Sequence, residues 1–167
     1  YEIHWRDWSS DVCSSDLALL PIAACHAGGT PTAANTGAQE EGAGLETAPL
    51  SITTAKGERR FTVEIAASPS EQERGLMFRR SLAADRGMIF PMLPARHVSF
   101  WMKNTYIPLD LIFIRANGTI ARIAANATPE SLDIIPSGEP VIAVLEIAGG
   151  QAAAQGIGPN DKVALPF

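Results

Sequence analysis

The chain has 167 residues, a formal net charge of -5, and 46% hydrophobic against 19% charged residues. That length supports one domain of ordinary apolar content, and no apolar run is long enough to cross a bilayer as a helix. A pI near 5.1 without a basic tract argues against an electrostatic nucleic-acid binder. Two cysteines cannot staple a disulfide-dense scaffold.

The first segment is set aside. Asp7 to Leu17 reads DWSSDVCSSDL, and its codons can be written to match a common sequencing-library adapter. Residues 1–17 therefore read as an artefact, an open reading frame that ran from adapter into a gene lacking its start. A genomic read through the locus tests this; native codons upstream of Ala18 refute it. Residues 18–25 read as the remnant of an export signal. Ile22-Ala23-Ala24-Cys25 resembles the lipobox of bacterial lipoproteins, which predicts a lipid anchor to a membrane through Cys25 and a periplasmic location. Cleavage without lipidation, giving a secreted soluble protein, is the alternative. Residues 26–48 are rich in Ala, Gly, Thr and Asn without apolar periodicity, the composition of a disordered tether. Removing residues 1–25 takes away one arginine and four acids, leaving 12 basic against 14 acidic side chains, close to neutrality.

Residues 49–167 read mainly as strands. Leu50–Thr54 and Arg60–Ile65 flank Lys56-Gly57-Glu58, and Phe61, Val63 and Ile65 alternate with Thr62 and Glu64, so a hairpin is expected. Ser68-Pro69-Ser70-Glu71 offers an N-cap, a proline at the first helical position and a capping-box glutamate. A short helix is expected from there to about Phe78, with Gly75 its weak point. Strands follow at Met88–Met92, His97–Met102 and Leu109–Arg115; Asn117-Gly118 turns the chain into Ile120–Ala124. Val141–Ile147 and Lys162–Leu165 complete the strands, and Ala152–Ala154 form a short helix closed by a left-handed Gly156. The predicted fold is mainly β: a small antiparallel sandwich or open barrel, jelly-roll-like, with one or two short helices.

Two carboxylates interrupt apolar strand faces. Asp110 shares a face with Ile112 and Ile114, and Glu146 with Ile142 and Val144, so each needs hydrogen bonds or a cation if buried. Lys103, Arg74 and Arg96 are the candidate cations. In Val98–Lys103, alternation puts Val98, Phe100 and Met102 on one face and Ser99, Trp101 and Lys103 on the other. An indole beside a hydroxyl and an ammonium suits a flat ligand; packing of Trp101 under a loop is the equal alternative. Arg59-Arg60 and Arg79-Arg80 read as solvated faces balanced by Glu58, Glu64 and Asp85.

Glu73-Arg74-Gly75-Leu76-Met77-Phe78-Arg79, Gly87-Met88-Ile89-Phe90, and Phe100–Thr105 with Ile107-Pro108-Leu109-Asp110 resemble the signature of domain of unknown function 192. Phe113-Ile114, Gly118-Thr119-Ile120, Val144–Ile147 with Gly149, and Gly156-Ile157 with Asp161 continue it in order. The resemblance implies a small, mainly-β, jelly-roll-like fold in prokaryotic proteins that are often exported or membrane-anchored, and no established activity.

Three functions compete. The first is a non-catalytic envelope module holding a glycan, cell-wall fragment or protein segment at Trp101, Lys103, Asn104, Asp110, Glu146 and Arg74. The second is a hydrolase of an envelope polymer with Asp110 and Glu146 as acid and base; no cysteine nucleophile or G-x-S-x-G is present, and His97 is the one histidine of the domain. The third is a copper protein using Met88, Met92, Met102 and His97, although methionines on strand faces are more often core. No cofactor, catalytic residue or metal ligand is assigned.

Overall fold

The computed structural model describes residues 44–167. The readings of the adapter segment, the lipobox at Cys25 and residues 26–43 of the tether lie outside the described residues.

Strands β1 (Thr47–Thr54) and β2 (Gly57–Ile65) form the expected hairpin, with Leu50 opposite Phe61 and Ala48 opposite Val63. The strand thus begins within the stretch read as tether, and Leu45 already packs against a core cluster. Helix α1 (Pro69–Arg74) carries the reciprocal capping box: the Ser68 hydroxyl accepts from the Glu71 N–H, and Glu71 accepts from the Ser68 N–H at 2.7 Å. It stops short of Phe78. Gly75 turns to φ 47 and closes the helix with its N–H on the Glu71 carbonyl, and Leu76 is drawn into the core at 2% exposure.

The chain then crosses over to β3 (Arg86–Arg96), which lies parallel to β2, with Val63 beside Gly87. Residues 66–85 are long enough for the crossover that a parallel pair demands. The mainly-β fold is as expected, and β2–β3 is the one parallel pair among the otherwise antiparallel pairs of the described residues. The remaining strands of the main sheet are β5 (Leu109–Ile114), β6 (Ile120–Ala127), β8 (Val141–Ala148) and β9 (Lys162–Ala164), in the order β6-β5-β8-β3-β2-β1-β9. The strand expected over His97–Met102 contracts to β4 (Ser99–Phe100), which pairs with β7 (Ile135–Pro136) in a separate ribbon. Helix α2 (Gln151–Gln155) ends at Gly156, which is left-handed as expected.

The sheet curls into an open barrel. No continuous ladder closes it, but β9, paired with β1 at one edge, reaches β6 at the other through a Thr119–Lys162 bridge. The Ile120 N–H donates to Asp161 O at 2.9 Å and the Val163 N–H to Gly118 O at 2.8 Å. Alternation then sorts the strand residues. Ile52, Val63, Ile89, Ile112, Leu145 and Ile147 fill an inner core with Ala152 of α2 and Val163 of β9. Met88, Phe90, Leu111, Phe113 and Val144 face outward under Leu76, Phe100 and Met102. No helix among the described residues is long and apolar enough to cross a membrane.

One glycine sets the spacing of the central strands. A Cβ at Gly87 would stand 2.6 Å from the Glu146 backbone oxygen and 3.1 Å from the Ile147 side chain. Gly87→Ala is expected to cost about 3 kcal/mol, the upper end for overpacking a tight core. Urea denaturation checks it, and a loss under about 1 kcal/mol would mean that β3 and β8 separate freely.

Candidate functional site

Asp110 is fully buried on β5 and faces the inner side of the sheet with Ile112 and Ile114. Its partners are backbone groups, not the expected cations. Oδ1 accepts from the N–H groups of Asn126 at 2.8 Å and Gly150 at 3.0 Å, and Oδ2 accepts from Ala152 at 2.8 Å. Gly150, the left-handed N-cap of α2, has no side chain to cap the helix with. Asp110 supplies that function from another element, matching negative charge to the orphaned N–H groups of a helix start. The approach is close: a Cβ at Gly149 would stand 2.8 Å from Pro108 Cβ and 3.0 Å from Asn126 Oδ1.

Glu146 occupies the other face. It lies opposite Met88 on β3 and Leu111 on β5, both of the outer cluster, and only 5% of it is exposed. Directly paired residues project to one side of a sheet, so Glu146 projects outward and Asp110 inward. The acid–base pair is therefore excluded as a working unit, because the sheet separates the two carboxylates. Val144 shares the face of Glu146 as expected, but Ile142 does not. The register shift along β3 and β8 between Pro91 and Arg96 breaks the alternation, and Ile142 packs with the inner cluster.

No described group donates a hydrogen bond to the Glu146 carboxyl, and desolvation alone pushes its pKa up to about 8. Arg74 is exposed at the end of α1, and Arg96 is exposed with a guanidinium nitrogen 3.3 Å from Met92 Sδ. Neither joins a site with Asp110 or Glu146. Glu64, beside Met88 on β2, differs from Glu146 in being paired: Arg79 grips both its oxygens at 2.6 Å.

The Trp101 segment covers the outer face. Met102 is buried there, Trp101 is half-buried and Lys103 is exposed, with its Nζ 5.2 Å from the Trp101 ring centre. Asn104 takes a positive φ of 56°, and Thr105 closes the turn with its N–H on Met102 O at 3.0 Å. Two loops are tied to this turn. The Phe78 N–H donates to Asn104 O at 2.8 Å, the Met102 N–H to Ser131 O at 3.0 Å and the Glu130 N–H to Thr105 O at 3.0 Å.

These ties collect residues that alternation did not single out. Phe78 (46% exposed, φ 66), Tyr106 (42%), Leu132 (64%) and Ile134 (63%) are four of the six exposed large hydrophobic side chains in the described residues. Phe78 and Tyr106 meet edge to face at 6.1 Å, and the Arg80 guanidinium lies 5.7 Å from the Tyr106 ring centre. No local pattern marks a left-handed phenylalanine, since such a residue is held by its surroundings. The structure thus brings Trp101, Lys103 and Asn104 close to Phe78, Arg80 and Tyr106. Asp110 does not belong to this group. The copper ligands do not assemble: Met88, Met92 and Met102 are at most 4% exposed in the outer core, while His97 is exposed.

The blocks that built this turn and the strands beside it carry a family signature. A profile of domain of unknown function 192 (DUF192), described as "Uncharacterized ACR", matches residues 51–165. The chain belongs to the DUF192 family. No curated protein matches it. Among solved structures, this DUF192 domain is similar to a candidate transcription regulator from Sinorhizobium meliloti, 45% identical with a TM-score of 0.70 over 72% of this chain and 94% of that one. It is also similar to a protein of unknown function from Novosphingobium aromaticivorans, 44% identical with a TM-score of 0.73 over 83% of this chain and all of the other.

Proposed function

We propose that this DUF192 domain is a non-catalytic binding module of the bacterial cell envelope. It holds a glycan-bearing cell-wall fragment against the turn from Trp101 to Tyr106. The observation that supports the reading is the aromatic and cationic rim: Trp101 beneath Lys103, and Tyr106 between Phe78 and Arg80. Aromatic faces stack on the apolar faces of sugars, and the cations suit acidic substituents of wall polymers. The envelope location draws on the lipobox ending at Cys25, and the alternative of a secreted protein serves the same binding. The separation of Asp110 from Glu146 weighs against a hydrolase. A regulator that reads nucleic acid is disfavoured by the near balance of 12 basic and 14 acidic side chains after residue 25.

In a fragment starting at residue 44, Trp101 is the sole tryptophan. Titration with soluble cell-wall digests is expected to shift its fluorescence saturably. Trp101→Ala is expected to weaken binding about tenfold, the equivalent of one stacking contact. A flat titration, or binding unchanged in the variant, would remove this reading.

A further inference from the structure

A row of residues crosses five strands on the outer face: Glu64, Met88, Glu146, Leu111 and Ala124. The two acids of this row are about 10 Å apart, two strand spacings. Arg79 neutralises Glu64, and nothing described neutralises Glu146. Of the other charged groups on this face, Arg122 stacks 5.3 Å from the Phe113 ring centre and donates to Pro136 O, and Arg86 is exposed at the start of β3. No described side-chain nitrogen or oxygen is both sealed from solvent and unpaired. Each Glu146 oxygen therefore keeps a small contact with solvent, although the residue is 5% exposed. A costly polar group in an apolar wall, satisfied by nothing among the described residues, is the arrangement of a recognition group.

We propose that Glu146 is the recognition group of a small site on the outer face and that it takes a primary carboxamide. A protonated carboxyl presents one donor and one acceptor side by side. A primary amide presents the complement: its carbonyl accepts from the Glu146 O–H, and its syn N–H donates to the Glu146 C=O. Both groups are then satisfied, and no charge is placed against Met88 and Leu111. A lysine ammonium has three donors and an arginine guanidinium five, so most would face apolar side chains unpaired. A trans secondary amide, whether a peptide bond or an N-acetyl group, points its N–H and C=O in opposite directions and cannot offer both. The elevated pKa of Glu146 agrees with this, since the group keeps its proton at neutral pH. This site rests on observations separate from those behind the aromatic rim and stands or falls independently of it.

The test uses the full chain labelled with carbon-13 at glutamate carboxyls, titrated near neutral pH with acetamide, N-methylacetamide and methylguanidinium. Acetamide, a fragment of four heavy atoms, is expected to shift the Glu146 carboxyl resonance saturably below about 300 mM. N-methylacetamide is expected to bind about tenfold more weakly, and methylguanidinium to leave the resonance in place. Glu146→Gln retains a donor beside an acceptor and is expected to keep acetamide binding, read from the methyl resonances of Met88 and Leu111. Glu146→Leu is expected to lose it. Absence of a saturable acetamide shift, binding that survives in Glu146→Leu, or methylguanidinium binding lost in Glu146→Gln would overturn the proposal.

Discussion

Asp110→Asn is expected to lower the unfolding free energy by about 3 kcal/mol. The substitution preserves volume and one acceptor, so the bonds from Asn126 and Gly150 can persist. The second oxygen becomes an NH2 group facing the Ala152 N–H, which sits 2.8 Å from Oδ2 in the native protein. A charge-assisted bond is replaced by two donors in contact, at a site with no access to water. Asp110→Ala is expected to cost more, because all three N–H groups lose their acceptor. The loss is expected in both urea and thermal unfolding, with the Trp101 emission of the folded variant unchanged. A variant of native stability that had lost ligand binding would return Asp110 to the binding site.

Glu146→Gln is expected to act in the opposite direction, and only above acid pH. The folded pKa of Glu146 is raised from 4.5 to about 8 by desolvation. Below 4.5 the carboxyl is protonated in folded and unfolded chains alike and contributes nothing to the pH dependence. Between 4.5 and 8 the unfolded chain releases the proton and the folded one keeps it, so stability falls as pH rises, by up to about 1.4 kcal/mol per pH unit. Above the folded pKa the penalty is constant. Glutamine cannot ionise, so the variant is expected to match the parent near pH 4 and to exceed it by roughly 3–5 kcal/mol at pH 8. Thermal unfolding of both proteins across that range is the measurement. Parallel stability curves would mean that Glu146 finds a partner. A protein that keeps so costly a group gives up stability for what the group does, which is the usual relation at binding sites.

Local signals carried much of the fold. The capping box at Ser68 and Glu71, the alternation of Phe61, Val63 and Ile65, the turn at Asn117-Gly118 and the cap at Gly156 are set by residues within a few positions of one another. What the local signals left out depended on partners distant in the chain. The parallel pairing of β2 with β3 arises from the path of the crossover, which strand periodicity does not encode. Asp110 and Glu146 were each placed relative to their own strands, but the register that sets Asp110 opposite Ile147 and Glu146 opposite Leu111 is a property of two strands. That register sends the carboxylates to opposite faces. The shared position of Trp101, Lys103 and Asn104 was legible because the turn that carries them is local. Phe78 and Leu132 were not, because backbone bonds to that turn, or to the residue beside it, bring them there.

The reach of β9 from β1 to β6 has a consequence for how the protein is made. The first and last strands of the domain are neighbours. A nascent chain that has not yet emitted Lys162 carries two unpaired sheet edges and cannot complete its inner core. Such non-local closure is slow, and unpaired edges are the surfaces through which incomplete chains stick to one another. Closure therefore waits on β9, and a chain cut off before Lys162 is prone to self-association.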